Sequence, residues 1–206
     1  MKISKANDER NLYVLNIYDF DKTIYDGDST ADFIKFCAVR YRKTRKWVFP
    51  TLYAFILYVL HIYTKTQFKE RMYGFLKKVP DIDTAVNEFW DRHEGGIMDY
   101  YKSQHRDDDI IISASPEFLL RPICQRLGVD RLIASRVDSR TGKYTGENCW
   151  GSEKVRRLDE EYGIKACDSF YSDSLSDTPL AEIAEKAYIV RKNTLTPWDE
   201  YNNKRG

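Results

Sequence analysis

Tyr13-Val14-Leu15-Asn16-Ile17-Tyr18-Asp19-Phe20-Asp21-Lys22-Thr23 is the stretch that decides how the rest of the chain is read. Up to Tyr18 it is short and rich in β-formers, as suits a strand buried on both faces. At Asp19 it turns into charged and hydroxyl residues too polar to continue inside a core. In an open, parallel α/β sheet, ligands bind at the carboxyl ends of the strands, and this is the chemistry such an edge would carry.

Beyond it, residues 29–104 keep a helical period. Ser29 with Asp32 resembles a helix start, and Asp26 and Asp28 are read as steering the chain into the cap and capping its helix, with facing the substrate as their alternative. Short buried strands are expected at 109–113, 131–135, 169–172 and 187–190, alternating with helices from Glu117 to Gly128, at 152–162 and at 179–186. Ser115-Pro116-Glu117 reads as an N-cap, a first-position proline and an acidic first turn. The pattern predicts an α/β fold, a doubly wound (Rossmann-like), mostly parallel sheet with an inserted helical cap domain. Residues 1–28 and 106–206 form its catalytic core and 29–105 its cap. The polar tail after Thr194 has no assigned role, with Trp198 expected to dock it on the core.

The 206 residues suffice for one sizeable core plus a small cap. Thirty-three basic and 32 acidic side chains leave a net charge of +1, so nothing global points to nucleic acid as a partner. The four cysteines form no C-x-x-C pair and are read as reduced thiols, and no signal-peptide core follows the polar start, so a cytoplasmic location is expected. Residues 47–63, WVFPTLYAFILYVLHIY, carry no formal charge. The run is at the lower limit of roughly 17 residues for a spanning helix, and a buried or interface-lying helix fits better.

Four polar clusters fall at strand ends: Asp19 with Asp21, Ser113, Lys154, and Asp173 with Asp177. Clustered carboxylates repel unless a cation joins them, and oxygen-only ligation suits Mg2+ better than zinc. A carboxylate can attack phosphorus once the phosphoryl oxygens are neutralised. This casts Asp19 as nucleophile, Asp21 as general acid/base, Ser113 as a hydrogen-bond donor to a phosphoryl oxygen, and Lys154 as the electrostatic partner. Taken singly, each has a plainer reading as a helix cap, a strand-end satisfier or a solvated lysine. Their joint order favours chemistry.

On these residues the chain resembles the haloacid dehalogenase superfamily, in its phosphoserine-phosphatase-like branch with a helical cap. Asp19-Phe20-Asp21-Lys22-Thr23 is similar to the first motif, Ile111-Ile112-Ser113 to the second, Lys154 within Gly151-Ser152-Glu153-Lys154-Val155 to the third, and Asp173-Ser174-Leu175-Ser176-Asp177 to the fourth. The resemblance implies a metal held by the carboxylates of Asp19 and Asp173 and the backbone carbonyl of Asp21, with Thr23 and Asp177 in support. Phosphoserine phosphatases usually have glycines where Ala114-Ser115-Pro116 stands, glutamate at Asp28 and glycine at Ser172, so phosphoserine itself is not the expected substrate. The Cys149–Lys154 run, the start of the fourth motif and the apolar cap look more like the phosphatidylglycerophosphatase C family, which acts on a membrane lipid.

The expected partner is therefore a phosphorylated small molecule or a lipid headgroup. Arg40, Arg42, Lys43, Arg45 and Lys46 beside 47–63 could support peripheral membrane contact; the plainer reading makes 47–63 the cap's own core. A phosphatase for phosphoserine or another small soluble monoester, a phosphotransferase, and a non-catalytic ion-binding module that kept the fold are the alternatives.

Overall fold

A computed structural model describes residues 15–203. In chain order the elements are β1 (Asn16–Tyr18), α1 (Ser29–Arg40), a 3-10 helix (Arg42–Trp47), α2 (Val48–Val59), α3 (Lys65–Tyr73), α4 (Ile82–His93), α5 (Asp99–Gln104), β2 (Ile110–Pro116), α6 (Glu117–Arg126), β3 (Arg131–Ser135), α7 (Ser152–Tyr162), β4 (Cys167–Ser172), α8 (Thr178–Ala181), β5 (Ala184–Arg191), β6 (Thr194–Pro197) and α9 (Trp198–Asn203). The six strands form one sheet ordered β3-β2-β1-β4-β5-β6, in which only β6 runs antiparallel to its neighbour. β1 is central, with Ile17 opposite Ile110 of β2 and Phe170 of β4. The α/β expectation, with a mostly parallel sheet and helices inserted after the first strand, holds.

Side chains alternate across each strand and feed one apolar cluster per face. Ile17, Ile110, Ile112, Phe170 and Ile189 pack on one side with Leu158 of α7, Leu180 of α8 and Trp198 of α9. Trp198 thus docks the tail on the core, its ring 5.9 Å from that of Phe170. On the other side Tyr18, Ile111 and Tyr171 join Leu119 and Ile123 of α6 and, in the same cluster, Phe33, Phe89, Trp90 and Tyr101 of the inserted helices. The Trp90 indole N–H donates to the carbonyl of Leu119 at 2.7 Å, a buried bond between insertion and sheet layer.

Local expectations differ in several places. Tyr13 and Val14 of the first predicted strand lie outside the described residues. The second strand continues past Ser113 to Pro116, and Ser115 does not cap α6, whose N-cap, Pro116, has no side-chain cap bond. The first inserted helix is capped by Asp28, as expected, and not by Ser29: the Asp28 carboxylate accepts from the N–H of Ala31 at 2.8 Å. The predicted helix at 179–186 is only Thr178–Ala181, because Ala184 and Lys186 pair in parallel with Cys167 and Ser169. The strand β6 was not predicted at all. Residues 47–63 do not form the cap's core: in α2 only Ala54 is buried. No helix among the described residues is long and apolar enough to cross a membrane.

Candidate active site

β1, β2 and β4 end on the same edge of the sheet, and the loops leaving them deliver the side chains of one pocket. Asp19 follows β1 directly, its N–H donating to the carbonyl of Tyr171 at 2.9 Å, which fixes the loop to β4. Lys22 then takes a left-handed φ of 56°, uncommon for a non-glycine residue and a feature that gathers at functional sites. Gly151, at φ 60°, turns the chain into α7 so that Lys154, in the helix's first turn, enters the interior. The result is a pocket of about 350 Å³ whose walls include Asp19, Asp21, Ser113, Lys154, Asp173 and Asp177. Thr23 is not among them: it is fully buried, its carbonyl accepts from the Tyr100 hydroxyl at 2.7 Å, and its own hydroxyl has no partner among the described residues.

The centre is a buried cation between two carboxylates. The Lys154 ammonium, 2% exposed, donates to Asp19 Oδ1 at 2.8 Å and to Asp177 Oδ2 at 2.9 Å. Asp177 Oδ2 also accepts from the Ser172 hydroxyl at 2.7 Å, and its other oxygen is buried without a partner among the described residues. Burial works against the ammonium, but the two carboxylates outweigh it and hold its pKa above the ordinary value. Burial raises the Asp19 carboxyl from 3.8 to about 7; Lys154 pulls it down and Asp177 pushes it up, with burial prevailing.

Asp21 is held apart from this triad. Its Oδ1 accepts from the Ser29 N–H at 2.7 Å and its Oδ2 from the Ser115 hydroxyl at 2.5 Å. Burial and then the charge of Asp28 raise its pKa, and the Ser115 and Ser29 bonds counter them. Ser113, 1% exposed, accepts from the Ser115 N–H through its hydroxyl oxygen at 3.1 Å, leaving its own proton to donate into the pocket. Ser115 escaped sequence reasoning because Ser-Pro-Glu matches a helix start so well. Lys65 and Trp150 were also missed. They line the pocket, with the Lys65 ammonium 4.1 Å from the centre of the Trp150 ring. Lys69 reaches the same region from α3, donating to the Ala114 carbonyl at 3.1 Å and to Asn148 at 3.0 Å, and burial pushes its pKa down to about 8.

Among the described residues no three His, Cys, Asp or Glu side chains gather as a metal cluster. The set expected from sequence asks for less: two carboxylates, one backbone carbonyl and water. The Asp173 carboxylate fits that set, since it faces the pocket with no hydrogen-bond or ion-pair partner among the described residues. Burial raises its pKa, and Lys22 and Arg191 lower it. An oxygen-only donor set that includes a carboxylate lacking a protein donor suits a hard divalent cation such as Mg2+.

Comparisons with known proteins bear on the family and the fold. The model of the haloacid dehalogenase-like hydrolase family matches residues 17–182. A probable phosphatase of Mycobacterium tuberculosis is 29% identical over 195 residues, covering 84% of this chain and 67% of its own. A crystal structure of a protein of unknown function from Bordetella pertussis Tohama I superposes with a TM-score of 0.69 at 23% identity, covering 84% of this chain and 87% of the other. A phosphoserine phosphohydrolase-like protein from Francisella tularensis superposes with a TM-score of 0.52 at 17% identity, over 84% and 85% of the two chains, and shares the fold.

Proposed function

Because the chain belongs to the haloacid dehalogenase-like hydrolase family, we propose that it is a Mg2+-dependent phosphatase in which Asp19 carries the phosphoryl group. The observation that supports this best is the buried Lys154 ammonium shared by Asp19 and Asp177 at the sheet's carboxyl edge. Lys154 ties up Asp19 Oδ1 and leaves Oδ2 to attack. The Asp19–phosphorus bond forms as the bond from phosphorus to the ester oxygen breaks, and Asp21 protonates the departing alkoxide. Asp21, now a carboxylate, takes a proton from water, which attacks phosphorus and releases Asp19 and inorganic phosphate. Lys154 and the Ser113 hydroxyl hold the phosphoryl oxygens as charge shifts onto them. Mg2+, held by Asp19, Asp173 and the carbonyl of Asp21, would supply further neutralising charge. Residues 29–105 act as the cap, with Lys65 and Trp150 at the pocket mouth. Hydrolysis of an aryl phosphate with and without Mg2+ tests this; no turnover under either condition rejects it. Product analysis with an added alcohol separates hydrolysis from phosphotransfer.

Ser115→Ala removes the hydroxyl that donates to Asp21 Oδ2. The Asp21 pKa should then rise, moving the alkaline limb of the pH–rate profile, which this general acid sets, to higher pH. A pH–rate profile identical to the parent's would remove Ser115 from the account.

Metal binding should depend on pH in a set direction. Folded, Asp19 keeps its proton to about 7; unfolded, it releases it near 3.8. Through this group the metal-free protein therefore loses stability as pH rises from about 4 to 7. A divalent cation competes with that proton, so added Mg2+ should raise Tm clearly at pH 8 and hardly at pH 5. Thermal melts with Mg2+ and with chelator check this, and an equal increment at both pH values would contradict it.

For the substrate, the exposed apolar helix α2 favours a phosphomonoester carried on a lipid over a small soluble one. A screen across phosphatidylglycerophosphate, phosphoserine and sugar phosphates distinguishes them by kcat/KM.

A further inference from the structure

The α2 helix breaks the usual rule for an exterior helix. Phe49, Leu52, Tyr53, Ile56 and Leu60 recur at the spacing of one face and are 76%, 56%, 64%, 48% and 61% exposed. The opposite side of the helix rests on α3, where the rings of Phe55 and Tyr58 pack against Phe68 at 5.7 and 5.5 Å. Beneath it lies an apolar cleft of about 320 Å³, lined by residues such as Trp47, Leu52, Phe68 and Met72. A contiguous exposed apolar surface of this kind marks an interaction site, whereas scattered single residues do not.

Charge says what covers it. Arg42, Lys43, Arg45 and Lys46 are exposed in the turn leading into α2. From Phe33 to Lys69 the chain has no acidic residue. Of the five basic residues before the stretch only Arg40 has a carboxylate partner, Glu88, among the described residues. Two copies meeting through this face would bring their basic clusters together, which disfavours self-association. The fitting occupant is both apolar and anionic. At about 18 Å long, α2 is too short to cross a bilayer core of about 30 Å but can lie in its surface plane.

We propose that the α2 stripe and its basic flank form a docking surface for an anionic lipid bilayer. Docking would bring the pocket to the interface, because α3 begins at Lys65, shortly after α2 ends, and Lys65 lines the pocket. This deepens the phosphatase reading and rests on it for the substrate, but binding is measured independently of turnover.

The test is co-sedimentation of the full chain with vesicles of phosphatidylglycerol and phosphatidylcholine, against vesicles of phosphatidylcholine alone. The parent should sediment with the anionic vesicles, and less so as salt rises. Phe49→Asp with Ile56→Asp, and separately Arg42→Glu with Lys43→Glu, should each lower partitioning by roughly tenfold or more. Aryl phosphate hydrolysis and circular dichroism should be unchanged in both. Absence of sedimentation at low salt overturns the proposal, as does binding that neither pair weakens. A dimer seen by light scattering and lost in the Phe49/Ile56 pair overturns it in favour of a second copy. Vesicle binding by a parent without phosphatase activity would leave the docking surface standing and reject the catalytic reading alone.

Discussion

Asp19→Asn should lower kcat on an aryl phosphate by on the order of 10⁴-fold or more while leaving the fold intact. The amide oxygen can still accept from Lys154, and Asp177 still neutralises the ammonium, so the buried cation keeps a partner. What is lost is the nucleophile, a defect that transition-state interactions elsewhere cannot replace. Two readouts separate this from damage to folding. The Tm should stay within a few degrees of the parent's, and a labelled phosphoryl group should remain with acid-quenched parent but not with the variant. Parent-level turnover in Asp19→Asn would move the nucleophile elsewhere.

Lys154→Met should be the most destabilising single change at the site. Asp19 and Asp177, with side chains 11% and 3% exposed, would then face each other without the cation between them. Removing one partner of a buried ion cluster costs about 3–5 kcal/mol, because the remaining charge stays buried or must take up a proton. For a chain of this size that corresponds to a fall in Tm of roughly 6–20 °C. Adding Asp177→Asn in the Lys154→Met background should recover part of the loss by removing one of the two stranded carboxylates. Chemical denaturation of the parent and the two variants measures this. A Lys154→Met protein as stable as the parent would show that the ammonium is not what holds the two carboxylates together.

Much of the architecture was legible in the sequence because it rests on local pattern. Buried strands read as short apolar runs, and the glycines at 128 and 163 take left-handed φ values of 73° and 67° where helices were expected to end. The carboxylates and Lys154 were legible as strand-end polar residues. The misreadings share a cause: each depended on a partner distant in the chain. Ser115 looked like a helix cap, yet its bond is to Asp21, 94 residues away. Ala184 to Lys186 has a helix-forming composition, but the edge of β4 draws it into the sheet, a tertiary contact overriding propensity. Thr194–Pro197 ends in a proline and reads as tail, although at a sheet edge a terminal proline costs no ladder bond that matters. The apolar run at 47–63 could be called hydrophobic from composition, but its exposure depends on what the fold leaves unopposed beside it.

The indole of Trp90, bonded to the Leu119 carbonyl within a cluster that also holds Tyr18 and Phe89, has a bearing on how substrate traffic is managed. Two lobes with separate interiors can swing about a joint; here α4 and α6 share one interior, so rotation would tear apart close-packed rings. Admission and release would then fall to the rim, where Lys65 lies against the half-exposed Trp150. Selectivity in such a molecule is a property of its doorway.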